Sequence, residues 1–114
     1  MKIFVICSVR GATEEYKKFL EEYAERLIEL GHEVYLPHKD TKQNQIGIQI
    51  CRDNREGIRN TDEVHVSYRE TSTGTHFDMG MAFALGKKVR IIDSDPFNEK
   101  KSFARFLWEW ESGK

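Results

Sequence analysis

The chain predicts an α/β fold, a three-layer sandwich in which a doubly wound parallel sheet of strand order 2-1-3-4 lies between helical layers. Three observations carry that expectation. The opening run Ile3-Phe4-Val5-Ile6-Cys7 is apolar at every position, as a strand covered on both faces must be. The apolar residues that follow, Tyr16, Phe19, Leu20, Tyr23, Leu27 and Leu30, recur instead at helical spacing. The two patterns then alternate along the chain, which requires right-handed crossovers between parallel strands.

Ile3 to Cys7 is the central strand, and the turn from Ser8 to Thr13 leads into a first helix that Gly31 closes. Glu33-Val34-Tyr35-Leu36 is a short second strand stopped by Pro37. A second helix runs from about Gln45 to Asn60, with Ile46, Ile50 and Ile58 facing inward. Glu63 to Tyr68 is the third strand, Thr75 to Leu85 the third helix with Gly86 at its end, and Val89 to Ile92 the fourth strand. Asp93 to Lys101 is a polar connection into a last amphipathic helix that carries Phe103, Phe106, Leu107 and Trp110. This is a flavodoxin-like, Rossmann-like architecture, in which ligands bind beyond the carboxyl ends of the strands, at the switch point between strands 1 and 3.

Bulk composition narrows the function. At 114 residues the chain reads as a single domain, 1–114, large enough to fold without disulfide or metal. Eighteen Lys and Arg against 19 Asp and Glu leave a net charge of -1, which gives no footprint for a nucleic acid polymer or an anionic membrane. Cys7 and Cys51 form no CxxC pair, as expected of reduced thiols in a cytosol. The apolar start is too short for a signal peptide and no run approaches membrane-spanning length, so a soluble, cytoplasmic protein is expected.

The most informative stretch is Ser72-Thr73-Gly74-Thr75-His76-Phe77-Asp78-Met79-Gly80-Met81-Ala82. A small-residue turn there runs into a helix, so hydroxyls and free backbone N–H groups can hold an anion, with Asp78 facing it. Thr75-x-x-Asp78 also reads as a variant capping box, in which Asp78 merely caps. Ser8-Val9-Arg10-Gly11, between the first strand and first helix, is a second turn where hydroxyl, guanidinium and backbone groups can converge on a phosphate or sugar. In a 2-1-3-4 sheet the two turns meet.

Other chemistries of this architecture lack their residues. There is no G-x-G-x-x-G turn, no G-x-x-x-x-G-K-[ST] loop, and no acid after the first strand for a phosphate-receiving domain. His32, His38, His65 and His76 show no metal-binding motif, and His76, two positions before Asp78, is the one kept as a substrate contact. Phe4, Tyr68 and Phe77 are candidates to stack on a base, against the plainer reading that they are core residues. Asp53 and Asn54, in the second helix, either lie on a solvated face or bring a second polar group to the mouth of the sheet.

Together these residues resemble the nucleoside 2-deoxyribosyltransferase-like family, nearest to its 2'-deoxynucleoside 5'-phosphate N-hydrolases, from Ile3 to about Ile92. An S-[IV]-R-G turn of that family matches Ser8-Val9-Arg10-Gly11. Its S-x-G-x-x-[YF]-E-x-G-x-A segment matches Ser72, Gly74, Phe77, Asp78, Gly80 and Ala82. Two departures fall on the chemistry. The family's nucleophilic glutamate is Asp78 here, one methylene shorter, and the first acid of its D-x3-I-x3-D pattern is Asn54 ahead of Ile58 and Asp62, with Asp53 one position away.

The resemblance implies cleavage of the bond between base and sugar of a nucleoside 5'-monophosphate, or a related deoxyribosyl transfer, by a retaining route. Asp78 would be the nucleophile, with Asn54 or Asp53 touching sugar or base. Ser8, Val9, Arg10, Gly11, Ser72, Gly74, Thr75 and His76 would contact the substrate. No cofactor or metal is required, and the family implies a homodimer. The competing expectation is a nucleotide-binding module or sensor that keeps the pocket without efficient catalysis.

Overall fold

β1 (Lys2–Ile6) lies inside a four-stranded, all-parallel sheet, with β2 (Glu33–Tyr35) on one side and β3 (Glu63–Tyr68) then β4 (Lys88–Ser94) on the other. The order β2-β1-β3-β4 is the one the sequence pattern requires. The computed structural model describes residues 1–96 and 102–113, so part of the connection from Asp93 to Lys101 lies outside the described residues. The helices are α1 (Glu14–Glu29), α2 (Pro37–Asp40), α3 (Gly47–Arg59), α4 (Thr73–Ala84) and α5 (Phe103–Glu111).

Alternating strand residues divide the core in two. Phe4, Ile6, Val64, Val66, Tyr68 and Val89 pack with Ile58 of α3, Met79 and Ala82 of α4, and Ala104 and Leu107 of α5. Val5, Cys7 and Leu36 face the other way, against Leu20 and Ala24 of α1. Burying apolar side chains on both faces explains the unbroken apolar run of β1, whereas β3 is buried throughout with a polar α1 face on which Glu63 meets His65, His65 meets Tyr23, and Ser67 meets Tyr16. Phe4 and Tyr68 are therefore core residues and not stacking platforms.

β3 and β4 fall out of regular register once. Val66 pairs with Ile91, but Ser67 pairs with Asp93, so Ile92 is an extra residue. Ile91 consequently packs on the α3–α5 side, whereas Ile92 packs on the α1 side and Asp93 meets Ser67.

Several boundaries differ from the sequence expectation. Pro37 does end β2, but it also opens α2, where its fixed φ suits the first helical turn and Asp40 Oδ2 accepts the Leu36 N–H at 2.7 Å. α3 begins at Gly47 with Ile46 as its N-cap, which leaves Ile46 exposed instead of facing inward. α4 begins two residues before Thr75, because the Ser72 side chain accepts the Thr75 N–H at 3.2 Å and so is the cap. The capping-box reading of Thr75-x-x-Asp78 is thereby corrected: Asp78 lies past the first turn, and Thr75 is fully buried within it.

Gly57 of α3 has a packing role. Phe4 and Tyr35 stack with ring centroids 4.8 Å apart, and a Cβ on Gly57 would sit 2.9 Å from the Phe4 ring.

Candidate active site

Three segments meet at the carboxyl ends of β1, β2 and β3. The turn after β1 supplies Ser8, Val9 and Arg10, and the turn into α4 supplies Thr71, Ser72, Thr73 and Gly74. α3 crosses between them with Ile50, Cys51 and Asn54. They enclose a cleft of about 550 Å³ that Asp78 and Phe77 of α4 also line. The Thr73 and Gly74 N–H groups belong to the first turn of α4 and have no intrahelical acceptor, so they are free to donate into the cleft.

Asp78 is buried, and burial pushes its carboxyl up to about 7. The opposing contribution is one long hydrogen bond, from Asn54 Nδ2 to Asp78 Oδ2 at 3.4 Å. No cation pairs with it among the described residues. Cys7, also in the lining, is pushed up to about 12 by burial and by the neighbouring Asp78, so its thiol stays protonated.

The Asn54 amide is oriented from behind. Thr41 Oγ1 donates to Asn54 Oδ1 at 2.7 Å, and the Tyr35 hydroxyl lies 2.5 Å from Thr41 Oγ1. Because the Thr41 proton is committed to Asn54, Tyr35 is the donor to Thr41, its one proton shared with the more distant Asp40 carbonyl at 3.2 Å. The chain runs Tyr35 to Thr41 to Asn54 to Asp78, and it fixes the NH2 of Asn54 toward the carboxylate. Nothing in the spacing of Tyr35 and Thr41 marks them for this position.

Of the residues singled out in the sequence, Ser8, Val9, Arg10, Asn54, Ser72, Gly74 and Asp78 line the cleft together, and Phe77 joins them half-exposed. Gly11 follows at a φ of +73°, allowing the chain to turn away toward α1. Thr75 supports the rim from beneath by accepting the Ser72 Oγ proton at 2.8 Å. His76 points away: it lies 2.6 Å from the Ser72 carbonyl and 2.8 Å from the Tyr68 hydroxyl, with Phe103 against its ring. Asp53 is not brought to the cleft. Gln45 and Gln49 hold its carboxylate at 2.7 and 2.9 Å and lower its pKa, and it lines a separate cavity of about 570 Å³ near the starts of β1 and β2. Asp62, the other acid of the second-helix pattern, accepts the Lys2 N–H at 2.8 Å at the far end of the sheet.

Cys7, Pro37, Gln43, Gly47, Ile50 and Cys51 were not marked by the sequence as cleft residues. Among the described residues, no three His, Cys, Asp or Glu side chains converge as metal ligands would.

A parallel 2-1-3-4 sheet with a cleft at its switch point defines a doubly wound, flavodoxin-like α/β protein. The sequence matches the nucleoside 2-deoxyribosyltransferase family over residues 6–106, and the chain belongs to that family. Among solved structures, it is similar to a CMP N-glycosidase of Clostridium botulinum, at 22% identity and a TM-score of 0.68, covering 96% of this chain and 82% of that one. A 2-deoxyribosyltransferase from Bacillus psychrosaccharolyticus is also similar, at 22% identity and a TM-score of 0.68, covering 91% and 79%. A further match is a 2-deoxyribosyltransferase from Leishmania mexicana, at 18% identity and a TM-score of 0.66, covering 82% of this chain and 65% of the other. Among curated protein sequences, none matches significantly. No helix of the described residues is long and apolar enough to cross a membrane.

Proposed function

We propose that the protein is an N-glycosidase that cleaves the bond between base and sugar of a (deoxy)nucleoside 5'-monophosphate, with deoxyribosyl transfer as the related reaction. The observation that carries the reading is a buried, charge-unpaired carboxylate, Asp78, beneath a rim of helix N–H groups and hydroxyls. The rim formed by Ser72, Thr73 and Gly74, with Ser8 and Arg10 opposite, holds the 5'-phosphate. This leaves the sugar over Asp78.

In its ionised form Asp78 attacks C1', the C–N bond breaks, and its electron pair leaves with the base, which takes a proton from water. A water molecule then attacks C1' of the ester, returning the carboxylate and releasing the sugar phosphate. Asn54, held by Thr41, keeps one Asp78 oxygen oriented throughout. Family membership supports the reaction class, and a hydroxyl-lined rim favours a phosphorylated substrate.

A second reading, a nucleotide-binding module with little turnover, is favoured by one observation: with a pKa of about 7 and an amide partner, Asp78 is only half-ionised at neutral pH. Incubation with a panel of nucleoside and deoxynucleoside monophosphates separates the two. Base released by the native chain and lost in Asp78→Asn supports the enzyme; equal release by both removes Asp78 from the reaction. A melting shift without release, abolished in Ser72→Ala, supports the binding module.

We place the protein in the cytoplasm as a homodimer built on α3 and α4. Exposed Ile46, Ile48, Phe77 and Phe83 support an apolar contact there. A monomeric mass in sedimentation would exclude the dimer.

A further inference from the structure

Ser72 is committed on every side. Its N–H donates to the Arg69 carbonyl at 3.0 Å, and its Oγ accepts the Thr75 N–H at 3.2 Å while passing its own proton to Thr75 Oγ1 at 2.8 Å. The hydroxyl is therefore spent within the fold, and the donors that this turn still offers to the cleft are the Thr73 and Gly74 N–H groups. The direction of those backbone groups decides what the turn can hold.

His76 controls that direction from outside the cleft. Its backbone N–H reaches the Ser72 carbonyl at 3.3 Å, a long first bond for a helix, and its ring Nδ1 reaches the same oxygen at 2.6 Å. A carbonyl only accepts, so the proton stands on Nδ1. In the neutral ring Nε2 is then an acceptor, and the Tyr68 hydroxyl donates to it at 2.8 Å. Burial raises the Tyr68 pKa, which keeps that phenol protonated. The ring itself is clamped edge-on, its centroid 5.1 Å from those of both Tyr68 and Phe103.

The Ser72 carbonyl and the Thr73 N–H share one peptide plane and, across a trans bond, point in opposite directions. Pinning the carbonyl back along α4 therefore aims the Thr73 N–H out of the helix mouth, where Thr73 lines the cleft. The donors run one way, from Tyr68 to His76 to the Ser72 carbonyl and on through Thr73. Each polarises the next, so the N–H at the end of the chain is a stronger donor than an unsupported amide.

We propose that His76 is a positioning residue for phosphate recognition: by holding the Ser72–Thr73 peptide in one orientation, it sets the affinity of the α4 turn for the 5'-phosphate without touching the substrate. The proposal rests on the nucleotide reading above. It gives His76 no part in breaking the bond between base and sugar.

The test measures Kd for a panel of deoxynucleoside 5'-monophosphates by calorimetry, and Tm without ligand, in the native chain, His76→Phe and His76→Asn. Phenylalanine keeps a ring between Tyr68 and Phe103 but carries no donor. Asparagine gives up the ring and places an amide N–H near the position of Nδ1. Affinity and stability should therefore move in opposite order. His76→Phe is expected to bind the monophosphates about tenfold more weakly, with the smaller loss of Tm, whereas His76→Asn melts lower yet keeps its affinity within about threefold of native. Native affinity in His76→Phe, or an affinity that simply follows Tm across the two variants, overturns the proposal. In both cases the native chain still binds, and the nucleotide reading stands. If the native chain binds no monophosphate, both fall together.

Discussion

Asp78 and Asp93 are aspartates near the same end of the sheet, and their surroundings drive them apart. Asp93 is partly open to solvent; burial raises its pKa, but the Arg69 guanidinium at 2.9 Å and the Ser67 hydroxyl at 2.5 Å outweigh that and lower it. Asp78 is buried with only the Asn54 amide at 3.4 Å, and its carboxyl rises to about 7. A carboxylate that holds the fold together is satisfied before any ligand arrives. The one proposed as the nucleophile is left wanting a partner, and the fold bears that cost.

The contrast is broken most strongly by Asp78→Asn. Base release is expected to fall by more than about a thousandfold, as when a nucleophile is removed from other hydrolases. The same substitution should stabilise the fold at neutral pH. Between the unfolded carboxyl value near 3.8 and the folded value of about 7, the native state holds the extra proton. Stability therefore falls as pH rises through that window, by up to roughly 4 kcal/mol for this one group. Thermal melts from pH 4 to 8 should show this decline in the native chain and its loss in Asp78→Asn.

The rate should run the other way. In the native chain kcat/KM rises about tenfold per pH unit below 7 and levels above it, because the attacking form is ionised. A profile flat from pH 5 to 8 would remove Asp78 as the nucleophile.

Thr41→Val tests the contact that separates Asp78 from a wholly unpartnered acid. Thr41 is buried, and the isosteric valine leaves Asn54 free to turn its amide. A loss of about tenfold in kcat, by the general cost of slight misplacement, is expected, with recovery in Thr41→Ser. Equal kcat in Thr41→Val and native protein would show that the relay does not position Asn54.

For Asp93→Asn the expected effect is on stability alone. The pair with Arg69 is about a third exposed, so after solvent screening the loss is about 1 kcal/mol, read from urea melts at pH 7, with base release intact. Since its folded pKa is lowered, the contribution is full above the unfolded value near 3.8 and disappears as the solution is acidified through the folded value. A matching loss of activity would mean that Asp93 belongs to the site.

Much of this was legible in the sequence. Apolar runs covered on both faces and the helical spacing between them are local patterns, and handedness turns them into one strand order. The two turns that line the cleft follow from that order. Helix starts were less legible, because Ser72 and Thr75 are both good caps and only the structure shows which accepts the N–H. Asp53 and Asn54 could not be told apart by type, yet adjacent helical residues point about 100° apart, and Gln45 and Gln49 hold Asp53 outward. Thr41 and Tyr35 gave no signal, since their roles come from contacts made between separate elements of the fold.

The extra residue at Ile92 has a consequence for how this strand can tolerate length changes. In a regular strand Asp93 would alternate onto the side of Ile91, among Phe106 and Trp110, where its charge would have no counterpart. The insertion acts as a half-turn of the ribbon: upstream of it β4 is read as core, and downstream it hands an acid to Arg69 and to Ser67, which itself accepts from Tyr16. Deleting Ile92 would therefore leave Asp93 opposite Ser67 in a regular ladder, whereas pairing Ile92 itself with Ser67 would turn every later residue over and send the carboxylate into the apolar layer.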